Sequence, residues 1–203
     1  MAPRDRHMGR CALPLLLLVL MAGTSPSEDA REGTAESPAT LEAGDTSAEA
    51  RAPEFELRDQ FGATHRYTYP REKVAVLLIA DKQGSEQVST WVLPLYERYK
   101  DRIDIDGVAD LSAVPGFLRG TVRFFIKRSA DHPIMLDWDG AVCGDFACVS
   151  EKVNVFLVNK DGSIRLTLHG PADDSLLERI CAEIDLLQSE RPGTRITDSR
   201  KNG

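Results

Sequence analysis

Val74-Ala75-Val76-Leu77-Leu78-Ile79-Ala80 is an unbroken apolar run in a chain whose residues are 28% charged. A strand with one wet face alternates apolar and polar side chains. A run without a polar member is therefore expected at the centre of a sheet, covered on both faces. Upstream, Phe55 and Leu57 alternate with Glu56 and Arg58, the period-two pattern of a strand. Asp59-Gln60-Phe61-Gly62 supplies a turn and His65 to Tyr69 a returning strand, which together make a hairpin. Downstream, Val88, Trp91, Val92, Leu95 and Tyr99 fall at spacings of three and four, one helical stripe. Pro94 lies inside that stripe and predicts a kink.

Ile103 to Ala109 reads as a second strand, and Phe117, Thr121, Val122, Phe125 and Ile126 as a second helix. Pro133 to Leu136 is a short strand and Ala141 to Ala147 a brief helix. Val153 to Val158 is a strong strand, Asn159-Lys160-Asp161-Gly162 a tight turn, and Ile164 to Leu168 the antiparallel return. Leu176, Leu177, Ile180, Ile184 and Leu187 close the series with an amphipathic helix. The order is hairpin, then βαβαβα, then ββα. Crossovers demand parallel strands and the last hairpin an antiparallel pair. The expected fold is therefore α/β, a mixed sheet with an N-terminal β-hairpin and helices on both faces.

The 203 residues suffice for one ordinary domain plus a tail. Twenty-five Lys and Arg against 32 Asp and Glu leave a formal charge of −7, which excludes a nucleic-acid binder working by bulk positive charge. Aromatic residues at 6% also argue against a base-stacking surface. Four cysteines are too few for a scaffold built on disulfides.

Residues 1–24 read as an export signal. Arg4, Arg6 and Arg10 precede an apolar run from Cys11 to Ala22, and small residues follow at Ala22, Gly23, Thr24 and Ser25. The run is shorter than the roughly 20 residues a spanning helix needs. Met21-Ala22-Gly23 opens like a lipoprotein box, but Thr24 stands where the acylated thiol would be. The expectation is cleavage and release into a bacterial periplasm or the medium, without stable membrane insertion. Losing three arginines and Asp5, a net of two positive charges, takes the charge from −7 to −9. Cys143, Cys148 and Cys181 then remain, an odd count that suggests one pair and one spare. Residues 25–53 are rich in Ser, Thr, Ala, Glu, Gly and Pro and read as a disordered linker. The domain is expected over 54–190, with a flexible tail over 191–203.

The element order and several short patterns resemble the thioredoxin-like superfamily, in its exported peroxiredoxin-like and thiol-reductase-like redoxin branch. Phe55-Glu56-Leu57-Arg58-Asp59 with Gly62 is similar to that branch's F-x-L-x-D-x-x-G hairpin. Val74 to Ala80 resembles the strand that leads to the active-site loop, and Leu95 to Tyr99 the body of the helix after it. His132-Pro133-Ile134-Met135-Leu136-Asp137 with Gly140 is similar to a peroxiredoxin stretch, and Phe156 to Gly162 to the branch's "FLIDxDG" hairpin. Together these cover residues 53–188.

The resemblance implies a thiolate at the start of the first long helix, where free N–H groups and the dipole lower a cysteine pKa. The implied CxxC position falls on Lys82-Gln83-Gly84-Ser85, and no cysteine lies between Cys11 and Cys143. The family's cis-proline falls near Val153. There a cis bond would cost about 2.5–4 kcal/mol, so a trans peptide and a reshaped partner groove are expected. Two such departures argue against a standard disulfide reductase.

Cys143 and Cys148 are the remaining candidates for thiol chemistry. On an unbroken helix they would stand about 7.5 Å apart along the axis, beyond the ~6.8 Å a disulfide spans, whereas a break would let them pair. They read either as a relocated redox pair or as a structural disulfide or two ordinary side chains. Cys181 shares helical spacing with Leu177 and Ile184 and reads as a core thiol. His65, His132 and His169 are scattered, and no metal site or cofactor is expected. Ser85 could cap the helix, and Lys82 and Gly84 could hold an anion there. Asp59, Asp137 and Asp161 sit at turns that side-chain-to-backbone bonds explain. The expected function is an exported thioredoxin-like protein without the usual thiols, in a binding or accessory role whose partner is another exported protein. The alternative is a noncanonical thiol oxidoreductase or peroxidase using Cys143 and Cys148.

Overall fold

The computed structural model describes residues 50–189. The expected signal segment 1–24, residues 25–49 of the expected linker, and Glu190 with the tail 191–203 lie outside them. Two strands, β1 (Phe55–Arg58) and β2 (Thr64–Tyr67), pair antiparallel in a sheet of their own. The main sheet holds five strands: β3 (Ala75–Ala80), β4 (Asp104–Asp110), β5 (Met135–Asp137), β6 (Asn154–Val158) and β7 (Ile164–His169). Their order is β5-β4-β3-β6-β7. β3 and β5 flank β4 in parallel, while β6 runs antiparallel to β3 and β7 to β6. This is the mixed sheet the connections demanded.

β3 is the central strand, and all its residues are buried. Its side chains feed two cores. Val76, Leu78 and Ala80 meet α1 (Val88–Tyr99) and α4 (Asp174–Ser189) through Trp91, Leu95, Tyr99, Ile180 and Ile184. Ala75, Leu77 and Ile79 face the opposite way, toward the hairpin's Tyr67, Phe55 and Leu57 and toward Val142 and Phe146. Each large apolar side chain so buried contributes about 1.5–3 kcal/mol relative to exposure, which is why the run tolerates no polar member. Trp91 anchors α1 further by donating from Nε1 to the Gly170 carbonyl at 2.8 Å. Pro94 lies inside α1, and the helix continues past it to Tyr99.

Two expectations need correction. The ordered chain begins before residue 54. Ala50 accepts from Ile164 N–H at 2.7 Å, Ala52 N–H donates to Gly162 O at 2.8 Å, and Ala52 is buried. The end of the expected linker thus docks beside the β6–β7 turn. That turn has Gly162 at φ +95°, where a Cβ would strike the Tyr69 ring. The second helix, α2 (Arg119–Ser129), turns only part of the expected stripe inward. Leu118, Val122 and Ile126, four apart, are half-buried, while Phe117 is 84% exposed and Phe124 60%. Of the expected stripe, Val122 and Ile126 belong to that row, while Phe117, Thr121 and Phe125 lie to its solvent side.

Candidate functional site

The parallel strands β3, β4 and β5 end together, and antiparallel β6 begins at the same edge, with Ile79 opposite Asn154. In open α/β sheets this carboxyl edge is where ligands bind. Asp81 follows β3, Asp110 ends β4 and Asp137 ends β5. The edge also carries every site residue expected from the sequence.

Lys82-Gln83-Gly84-Ser85 lies between β3 and α1, with a 3₁₀ turn over Gly84–Gln87. It packs directly on the Val153 position. A Cβ on Gly84 would collide with the Lys152 carbonyl and stand 2.9 Å from Val153 N, so only glycine allows the approach. The Lys152–Val153 peptide is trans; the cis bond among the described residues is Tyr69–Pro70.

Two N–H groups of this loop, those of Gly84 and Ser85, are taken by Asp81. Asp81 Oδ1 accepts from Gly84 N at 2.8 Å, and the Asp81 carbonyl accepts from Ser85 N at 2.9 Å. Ser85 does not cap the helix, because its hydroxyl donates back to Lys82 O at 2.6 Å. The expected anion site is therefore filled by the chain's own carboxylate. The edge that leads into β6 is likewise occupied. Gln87 Oε1 accepts from Val153 N at 3.2 Å, its Nε2 donates to Glu151 O at 3.2 Å, and Asp81 Oδ2 accepts from Glu151 N at 2.7 Å. Two side chains thus satisfy the Glu151 N–H and C=O and the Val153 N–H.

Asn154 holds the same segment from below and is 2% exposed. Its Oδ1 accepts from Val149 N and from His169 Nδ1, each at 2.8 Å. Its Nδ2 donates to Ile79 O at 3.3 Å and to Val149 O and Lys152 O, both at 3.1 Å. Burial and nearby Lys152 lower the His169 pKa, which favours the neutral ring.

Cys143 and Cys148 stand across this edge on α3 (Ala141–Asp145) and the turn after it. Asp137 Oδ2 accepts from Cys143 N at 3.0 Å and seats the helix. The helix then breaks. Ala147 takes φ +50°, Ala147 N–H donates to Gly144 O, and Cys148 N–H reaches back to Cys143 O, both at 3.0 Å. This is a Schellman termination with alanine in the left-handed position that glycine usually fills. It folds Cys148 back toward Cys143, and each thiol perturbs the other's pKa. Both are free and half-buried. Burial, then the bond to Cys148 and the Asp110 carboxylate, push the Cys143 thiol far up. Burial pushes Cys148 up to about 11, aided by Asp110, Asp137 and Asp81 and opposed by the hydrogen bond from Cys143.

The other singled-out residues are structural. Cys181 is buried in the α1–α4 core. Asp59 Oδ1 accepts from Phe61 N and Ala63 N, and Oδ2 meets His65 Nε2 at 2.7 Å. Asp161 holds Ser163. Among the described residues no group of His, Cys, Asp and Glu is arranged to hold a metal, and no helix is long and apolar enough to cross a membrane. Sequence reasoning missed Asp81, Gln87, Asn154 and Asp110. The one available signal was Asn154, a polar residue inside the strongest strand pattern.

No protein-family model and no curated protein matches the chain. Solved structures do. A Chlorobium tepidum protein described as a thiol:disulfide interchange protein, DsbE, superposes with a TM-score of 0.52 at 19% identity, over 68% of this chain and 94% of that one. A Bacteroides thetaiotaomicron protein described as a protein disulfide isomerase gives 0.51 at 16%, over 68% and 89%. A Neisseria meningitidis protein described as a thioredoxin gives 0.51 at 21%, over 70% and 91%. Likeness at these identities establishes the fold, which is thioredoxin-like α/β with a mixed sheet.

Proposed function

We propose that this chain is an exported thioredoxin-like protein that works as a binding or accessory module, not as a disulfide reductase at the usual loop. The observation that carries this reading is the closed loop edge. Lys82 and Ser85 stand where the resemblance puts two thiols, and Asp81 and Gln87 bond Gly84, Glu151 and Val153. A reductase needs a nucleophile and an open backbone edge there, and this loop offers neither. Peroxide chemistry at Cys143 and Cys148 is disfavoured by the same burial and carboxylates that hold both thiols protonated, since the thiolate is the reactive form. The basic start, apolar run and small-residue boundary of residues 1–25 support export, and the partner is then another exported protein.

Insulin reduction with excess dithiothreitol tests the reading. The expected rate equals the dithiothreitol blank, and robust turnover by the unmodified chain overturns it. For export, N-terminal sequencing of the protein from an exporting host should start within a few residues of Ser25. An intact Met1 in the soluble fraction rules export out.

A further inference from the structure

Cys143 and Cys148 meet because an alanine accepts a left-handed conformation. A hydrogen bond between their own backbones closes the turn, with Cys148 N–H donating to Cys143 O at 3.0 Å. A continuous helix would leave the thiols separated along its axis. Holding a non-glycine residue at positive φ costs of order 1 kcal/mol or more, and here its consequence is a face-to-face dithiol. The surroundings are one-sided in charge. Asp110 of β4 raises the Cys143 pKa, and the charges of Asp110, Asp137 and Asp81, at the ends of three neighbouring strands, raise that of Cys148. The thiols are half-buried, neither sealed from solvent nor fully exposed.

We propose that Cys143 and Cys148 form a reversible disulfide by exchange with small cationic or neutral disulfides, Cys148 attacking and Cys143 resolving. Cys143 is held protonated more strongly than Cys148, so Cys148 is the first of the pair to ionise as pH rises into the alkaline range. The Cys148 thiolate attacks one sulfur of the small disulfide. A Cys148–S–S–R bond forms, the original S–S bond breaks, and one RS⁻ leaves. Cys143 loses its proton and attacks Cys148 Sγ, which closes the internal disulfide and expels the second RS⁻. Both leaving thiolates are protonated. Two electrons pass from the protein dithiol to the disulfide, and dithiothreitol reverses the process. The three carboxylates repel anionic disulfides, which gives the site its selectivity. This proposal does not rest on the closed-loop reading, since Lys82 to Gln87 take no part in it.

The test uses the full chain, reduced and freed of reductant, then treated at low salt with cystamine (cationic), hydroxyethyl disulfide (neutral) or oxidised glutathione (anionic). Trypsin leaves both cysteines on one peptide, residues 129–152, with neither Cys11 nor Cys181. The expected product is that peptide two hydrogens lighter and closed to alkylation until reduced. Relative to rates with free dithiothreitol, cystamine should react about tenfold faster than oxidised glutathione, and added salt should narrow the gap. Cys143→Ser should trap the probe as a mixed disulfide on Cys148, and Cys148→Ser should react at least about tenfold more slowly than wild type. The proposal is overturned if the wild-type peptide stays open to alkylation at both cysteines in excess cystamine. Normalised glutathione rates equal to those of cystamine, or an adduct trapped on Cys143 in Cys148→Ser at the wild-type rate, overturn it equally. The wild-type series stands without the variants should either fail to fold. Insulin turnover is read separately, so failure here leaves the closed-loop reading intact, and the reverse.

Discussion

Two regions face each other across the carboxyl edge of the sheet, and they have opposite chemistry. The loop from Asp81 to Gln87 has the position expected of a redox loop but no thiol, and its polar groups are spent on its own neighbours. The turn from Cys143 to Cys148 has two adjacent thiols in a setting that keeps them protonated. One has the place without the nucleophile; the other has two nucleophiles that rest protonated and ionise only as pH rises. Fold alone does not establish what either region does, and the function must be argued from the residues.

The comparison breaks most completely at Asn154, which serves both regions. Asn154→Ala strands the Val149 N–H and removes the bond to Lys152 O. Leaving such groups unpaired costs about 1–3 kcal/mol each, so urea denaturation should show a loss of about 3 kcal/mol. Gly84→Ala strikes only the first region. Its new Cβ meets the Lys152–Val153 backbone, and the same assay should show a loss of about 2 kcal/mol, as for an overpacked site. It should leave alkylation at Cys143 and Cys148 unchanged. Gln87→Ala removes the two bonds to Glu151 and Val153 and should cost about 1 kcal/mol.

The smallest effect belongs to the thiols. Cys143→Ser with Cys148→Ser should move the melting temperature by only a few degrees, under about 1 kcal/mol, yet change its pH dependence. Cys148 is held up to about 11 in the folded chain against an ordinary value of 9.0. Between those values the unfolded thiol ionises first. The unfolded state then binds fewer protons, and stability falls as pH rises. Wild-type reduced protein should therefore lose stability above pH 9.0, its ordinary thiol value, and the double serine variant should lose less. Melting curves across the alkaline range check this.

Much of the fold was legible because its strongest signals are local. The run from Val74 to Ala80 is buried throughout, as its composition required, apart from the strand starting one residue later. α2 was half read: Val122 and Ile126 turn inward as expected while Phe117 and Phe125 do not, because periodicity alone does not say which of two neighbouring rows turns inward. The docked residues Ala50 to Ala52 were missed because their bonds go to Gly162 and Ile164, more than a hundred residues away. The site was half legible. The family resemblance put Lys82–Ser85 opposite Val153. The closure was invisible, since Asp81 and Gln87 act on partners 64 to 70 residues distant. Whether Cys143 meets Cys148 turned on the φ of Ala147, a conformation alanine adopts too rarely to be expected.

Amide hydrogen exchange at Val153, by NMR on the full chain, measures the closure directly. The Val153 N–H donates to Gln87 Oε1 in this structure. It should be strongly protected in the wild type and exchange markedly faster in Gln87→Ala, while core amides of β3 keep their protection. A Val153 amide that exchanges in the wild type as fast as in the variant would mean that the edge is open to a partner strand, and that the loop is not closed by its own side chains.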